Sequence, residues 1–239
     1  MFGIKGGSLW AENAGMCGRF GLEISGVGLA ELLEIDPRDV PAFKPRYNIA
    51  PGQWMIGVRT VKGRRDVTRF RWGLVPSWAK DRSIGHKLIN ARSETVHTKP
   101  SFRSAFKHRR CLIPADGFYE WRGKGKSKQP YHIGLRDKAL FFFAGLWESW
   151  IDPETGEVLE TATVLTTGPN TLVEPIHDRM PVIVEEGDWE RWLVGRTEDI
   201  HQVLKPLDAS RMECWPVGPR VNTPRNDDAQ LRWRQGTLF

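Results

Sequence analysis

The chain has 239 residues, 40% hydrophobic and 27% charged, with a formal net charge of +6. That balance excludes a disordered chain and suffices to bury a sizeable core. No apolar run approaches the ~18 residues of a membrane span, and three cysteines in so long a chain fit a reducing cytoplasm better than a disulfide framework.

Residues 1–15, MFGIKGGSLWAENAG, have no apolar block long enough for a secretory signal and no periodicity that would dock them. Leu29, Leu32 and Leu33 lie at helical spacing, and the Asp36-Pro37 pair is expected to stop that helix. RYNIAPGQ (46–53) reads as a loop entering a strand. WMIGVRT and DVTRFRWG flank VKGRR and predict a hairpin. SFRSAFKH (101–108) predicts a short helix. The runs RCLIPA, GFYEW, PYHIGL, ALFFFAGLW and TATVLTT predict strands, with RGKGKSKQP (122–130) as a basic turn. DWERWL and EDIHQVL predict helices, MECWPV a last strand, and everything after 218 loop and tail. Many short strands with scattered helices indicate one α+β domain built on antiparallel sheet.

Of the 35 basic residues 23 are Arg, and there are 11 Trp. Planar guanidinium groups suit phosphate and indoles suit bases, a signature of single-strand binding that a basic protein with a Trp-rich core would share.

Four polar residues stand out from apolar or turn-rich surroundings: Cys17 in GMCGRF, Asn90 in LINARSET, Glu120 in ADGFYEW and His177 in PIHDRMP. A nucleophile, an amide, a carboxylate and a proton-transfer group would suffice for covalent chemistry, but their spacing does not bring them together. Each has a structural alternative: a small buried thiol, an amide satisfying a turn, a carboxylate on a wet strand face, a histidine buttressing Asp178 and Arg179. Cys111 and Cys214 lie in strand-like runs and are expected in the core. No metal-ligand or phosphate-loop spacing is present, so no cofactor or metal is implied.

Seven stretches in order resemble the SOS response-associated peptidase (SRAP) family, whose members trap abasic sites in single-stranded DNA. They are MCGRF (16–20), RYNIAPGQ (46–53), WGLVPSWAKD (72–81), LINARSET (88–95), CLIPADGFYEW (111–121), TVLTTGPN (163–170) and IHDRMPVIV (176–184), spanning roughly 16 to 225. The resemblance implies a barrel-like, mainly antiparallel β core flanked by short helices over residues 17–225, with 226–239 as a C-terminal tail. It implies a cytoplasmic, DNA-associated bacterial monomer whose partner is single-stranded DNA with an abasic site.

By the same resemblance Cys17 becomes the first residue, and its α-amine and thiol close a thiazolidine on the sugar aldehyde. Asn90 holds the opened sugar, Glu120 moves protons beside the amine, and His177 acts as acid or base on the sugar hydroxyl. Arg19 and Arg92 contact phosphate, Trp72 and Trp78 pack on bases, and Thr166 supports the pocket. Lyase and autoproteolytic activities accompany the family.

An internal Cys17 would have its nitrogen locked in an amide. Residues 1–16 are therefore expected to be an extension ahead of a start at Met16, or a propeptide. A retained extension would leave a DNA binder without the covalent step. Two rival readings stand beside the trap: an N-terminal-nucleophile amidohydrolase using Cys17, similar to glutamine amidotransferases, and a non-enzymatic single-strand binder.

Overall fold

The computed structural model describes residues 17–123, 125 and 128–236. The extension 1–16 and part of the basic turn lie outside them. In chain order the elements are β1 (Phe20–Leu22), α1 (Gly26–Leu33), β2 (Arg46–Ile49), β3 (Trp54–Val61), β4 (Arg64–Trp72) and β5 (Asn90–Arg92). Then come α2 (Arg103–His108), β6 (Arg110–Ala115), β7 (Gly117–Arg122), β8 (Gln129–Leu135), β9 (Phe141–Ile151) and β10 (Val158–Thr167). The last are β11 (Met180–Pro181), β12 (Ile183–Val184), α3 (Trp189–Val194) and β13 (Met212–Pro216).

The predicted hairpin is β3–β4, fully paired from Trp54–Arg71 to Val61–Arg64. Its two-residue turn holds Lys62 at φ 50° and Gly63 at φ 74°, the left-handed pair that matches the strands' twist. Strands β3, β6, β9 and β10 follow one another by antiparallel pairing, and β10 returns to β4 through a parallel joint at Thr161–Arg71. This closes a five-stranded barrel, which leaves no free edge in the core. β9 reads FFFAGLW because its residues Phe141 to Leu146 are buried on both faces.

A second sheet, in the order β13-β8-β7-β1-β2, lies against the barrel. Phe143 of β9 forms the seam: its ring meets Phe20 of β1 at 5.6 Å and Phe118 of β7 at 6.1 Å, both edge-on. The protein is thus a single α+β domain with a barrel core and short helices.

Three elements differ from the sequence reading. α1 ends at Leu33, ahead of Asp36-Pro37, because Glu34 takes a left-handed C-cap at φ 54° and Ile35 N–H bonds back to the Ala30 carbonyl. EDIHQVL forms only a 3₁₀ turn over Ile200–Val203: Pro206 supplies no N–H and disfavours helical backbone at Lys205. Cys214 is only half-buried, since β13 is the edge of its sheet, whereas Cys111 is fully buried.

Residues 219–232 are not a loose tail. Val221 and Leu231 are buried with Tyr119 and Val217 in a small core on the outer face of the second sheet. Asp227 accepts hydrogen bonds from the backbone of Tyr47 and Asn48 and pairs with Arg46, and Arg232 pairs with Asp116. A loop with these partners is part of the fold.

Candidate active site

Cys17 stands immediately before β1, where the second sheet meets the barrel. It lines one small cleft with Phe20, Trp72, Phe118 and Phe143, and the residue is 4% exposed. Its backbone sits at φ 24°, unfavourable for a residue with a side chain.

Glu120 is carried by β7, whose residues alternate between the sheet's two faces. Tyr119 and Trp121 face the strap formed by 219–232, so Glu120 faces inward with Phe118, and covering both faces leaves it 3% exposed. Its Oε1 accepts a hydrogen bond from the Cys17 backbone nitrogen at 2.6 Å. Asn90, the first residue of β5, directs its Nδ2 at the Cys17 carbonyl at 3.5 Å. β5 is held there by parallel pairing with β10, Asn90 opposite Val164.

His177 lies in the loop before β11. Its Nδ1 is engaged on its own turn, 3.1 Å from the Arg179 backbone nitrogen, 3.3 Å from the Arg179 carbonyl oxygen and 3.2 Å from Asp178 Oδ1. It is close enough to Glu120 that a protonated imidazole favours the carboxylate. Two strands, one loop and the lead-in to β1, separated by up to 160 residues of chain (17 to 177), thus bring the half-buried Asn90 and His177 to the buried Cys17 and Glu120.

Burial dominates the electrostatics. It pushes the Cys17 thiol well above its ordinary value, and the neighbouring Glu120 carboxylate raises it further; Arg179 opposes both. Burial likewise raises Glu120, against the hydrogen bond from Cys17 and the charge of His177. Both groups therefore hold their protons more tightly than they would in water.

Arg179 is the residue that the sequence reading passed over as a turn partner of His177. Its guanidinium forks onto Glu94 at 2.6 and 2.8 Å and donates to the Thr166 carbonyl at 2.6 Å. It is the principal cation acting on the Cys17 thiol. The signal was present in HDRMP, where an arginine two residues from a candidate histidine precedes a buried strand.

The remaining expected contacts divide. Arg92 and Trp78 are exposed, Trp78 at 58%. The Trp78 loop is pinned on both sides: Val75 N–H donates to Thr161 Oγ1, and Ala79 O accepts from Trp150 Nε1. Trp72, by contrast, is 2% exposed, packs on Phe20 at 5.2 Å and donates its indole proton to Ile89 O, so it is core and not a stacking surface. Thr166 is fully buried and braces Arg179 instead of facing a ligand. Arg19 is an internal tie: it donates to Asn48 Oδ1, Val221 O and Asn222 O, and burial lowers its pKa to about 10.

Residues 16–224 match the family model described as SOS response associated peptidase (SRAP). The chain belongs to the SRAP family. It is 44% identical to the Abasic site processing protein YoqW of Bacillus subtilis over 222 residues, 90% of this chain and 98% of that one. It is 32% identical to the chicken Abasic site processing protein HMCES, covering 77% of this chain and 65% of that protein. A crystal structure of a Bacteroides thetaiotaomicron protein superposes with a TM-score of 0.81 at 27% identity, covering 91% of this chain and 99% of that one. Among the described residues no helix is long and apolar enough to cross a membrane.

Proposed function

We propose that this SRAP protein processes abasic sites by capturing them covalently in single-stranded DNA through Cys17. The observation that carries the reading is the 2.6 Å contact between the Cys17 nitrogen and the buried Glu120 carboxylate, with Asn90 on the Cys17 carbonyl. Relatives named as abasic site processing proteins support it.

The reactive form begins at Cys17, since an amide nitrogen does not condense with an aldehyde. Residues 1–16 are then absent from the working protein, through a start at Met16 with Met removal or through cleavage. The strained φ at Cys17 fits a residue whose link to its predecessor is dispensable.

With the amine free, Glu120 accepts a proton from the ammonium, and the amine adds to the aldehyde carbon of the ring-opened sugar to give a carbinolamine. Glu120 returns that proton to the departing hydroxyl, water leaves, and the imine forms. The imine carries a proton on its nitrogen, so as the Cys17 sulfur bonds to the imine carbon the thiol proton passes to the Glu120 carboxylate, closing the neutral thiazolidine. The sum loses one water and needs no oxidant or reductant. A thiol kept protonated until ring closure suits this order. His177 Nε2 is the group available to the sugar hydroxyl during opening and reversal, and Asn90 orients the adduct. The imine that precedes ring closure is also the species from which β-elimination would cut the strand, so lyase activity competes with capture. Arg92 and Trp78 serve the flanking phosphates and bases; stacking reads any base and so tolerates any sequence around the lesion.

The test is the intact mass of protein expressed from its own gene, before and after incubation with abasic single-stranded DNA. A chain starting at Cys17 that gains the DNA mass supports capture, and Cys17→Ala should abolish the heat-stable adduct. A chain starting at Cys17 that gains nothing refutes it.

A further inference from the structure

Taking capture by Cys17 as the function, we infer that the strap at 221–227 is a clamp that sets Cys17 against Glu120, with Asn222 and Asn48 as its positioning residues. In the reactive form Cys17 is a chain end, so nothing upstream restrains it. Its place depends on the residues downstream of it, and β1 is only three residues long.

The strap grips the segments carrying both reactive groups from the far face of the sheet. Asn222 makes two of the contacts itself. Its carbonyl accepts from Arg19 Nη2 at 3.1 Å, two residues after Cys17. Its Oδ1 accepts from Trp121 Nε1 at 2.7 Å, one residue after Glu120. Arg19 also lies over the Trp121 ring at 5.8 Å. β1 and β7 already pair through their backbones, with Tyr119 N–H donating to Arg19 O at 3.0 Å, and Asn222 adds a second tie between the two segments from the strap.

Asn48, fully buried in β2, locks the clamp. Its Oδ1 accepts from Arg19 at 3.0 Å, and its Nδ2 donates to the carbonyls of Val221, Thr223 and Asn226 at 3.2, 3.2 and 2.8 Å. The carboxamide accepts from the guanidinium through its oxygen and donates to the carbonyls through its NH2; aspartate and leucine lack one or both capacities. Asp227 fastens the end of the segment through its bonds to the Tyr47 and Asn48 backbone. None of these residues touches the reacting atoms, so they act through Arg19 and Trp121.

Replacing Asn48 risks the fold, so the test uses Asn222→Ala, Trp121→Phe, their double variant and Asn222→Asp, which retains an acceptor for the indole. The first two should each lower the maximal rate of adduct formation about fivefold, the rate equivalent of one ordinary hydrogen bond, with the half-saturating DNA concentration unchanged. The double variant should lose no more than either alone, and Asn222→Asp should retain most of the rate. A readout independent of DNA accompanies these: the pH midpoint of thiol modification at Cys17, followed by peptide mass. Loosening the clamp frees the thiol from Glu120 and from burial, so the midpoint should fall in Asn222→Ala and Trp121→Phe. A wild-type midpoint in both variants overturns the clamp. Absence of any adduct in the wild-type protein overturns capture instead, and the midpoints then decide the clamp alone.

Discussion

The backbone nitrogen of Cys17 and the carboxylate of Glu120, 103 residues apart in sequence, are joined by a 2.6 Å hydrogen bond inside the protein. Glu120 is held above the ordinary carboxylate range by burial. A folded-state pKa above the unfolded one means that its stability contribution is present at low pH and lost as pH rises through the folded value.

Glu120→Gln removes that loss while keeping an acceptor for Cys17. In protein whose Cys17 nitrogen is an amide, the variant should melt higher than wild type at pH 8, by about 2–4 °C for each kcal/mol relieved. The two melting curves should converge toward pH 4, near the ordinary glutamate value. The variant should also be slow to form adduct once the amine is free. Thermal melts from pH 4 to 8 check this; a glutamine variant that is less stable at pH 8 contradicts it.

Arg179 acts on the Cys17 thiol in the opposite sense to Glu120, since a nearby cation favours the thiolate. Arg179→Met should therefore move the pH midpoint of Cys17 modification upward, the reverse of the shift expected from loosening the strap. It should also return Glu94, now held low chiefly by its bond to Arg179, toward its ordinary value. Titration of the thiol by alkylation and of Glu94 by carbon NMR separates the two effects.

The two tryptophans of the WGLVPSW stretch should behave as different kinds of residue. Trp72→Ala removes a buried indole and its bond to Ile89, and should cost about 3–5 kcal/mol of stability. Trp78→Ala should leave stability within about 0.5 kcal/mol and weaken single-strand binding by about 1–3 kcal/mol. Denaturant melts and fluorescence binding titrations measure each; equal losses of stability would refute the assignment.

His132 in β8 is 4% exposed and packs between Trp215 at 4.6 Å and Tyr119 at 5.3 Å. Burial, aided by Arg232, lowers its pKa to about 3 from an ordinary 6.5. The unfolded chain takes up the proton first, so stability is lost as pH falls from 6.5 toward 3. At pH 5 the loss amounts to about 2 kcal/mol. His132→Leu should abolish that part of the acid sensitivity, seen as a smaller drop in Tm between pH 7 and pH 5 than in wild type.

Much of the architecture was legible locally. Alternation and turn chemistry marked the β3–β4 hairpin, and continuous apolar runs marked β6 and β9, because these patterns arise from strand geometry alone. The resemblance of seven ordered stretches named the family and singled out Cys17, Asn90, Glu120 and His177. Composition and periodicity did not distinguish Trp72 from Trp78, six residues apart in one motif. One indole turns inward onto Phe20, while the other stands out from a pinned loop, and only packing separates them.

The sequence by itself determined which residue types were available and the strand patterns that bury the core. Only the tertiary structure decided that Glu120 is dry, that Arg19 is spent on Asn48 and the strap, that the charge of Arg179 acts on the thiol, and that residues 219–232 belong to the fold. The reason is physical. Burial of a polar group and the choice of its hydrogen-bond partner depend on chain segments that meet only after folding. Asn222 lies 205 residues after Cys17, and no local pattern encodes the bond that joins its carbonyl to Arg19.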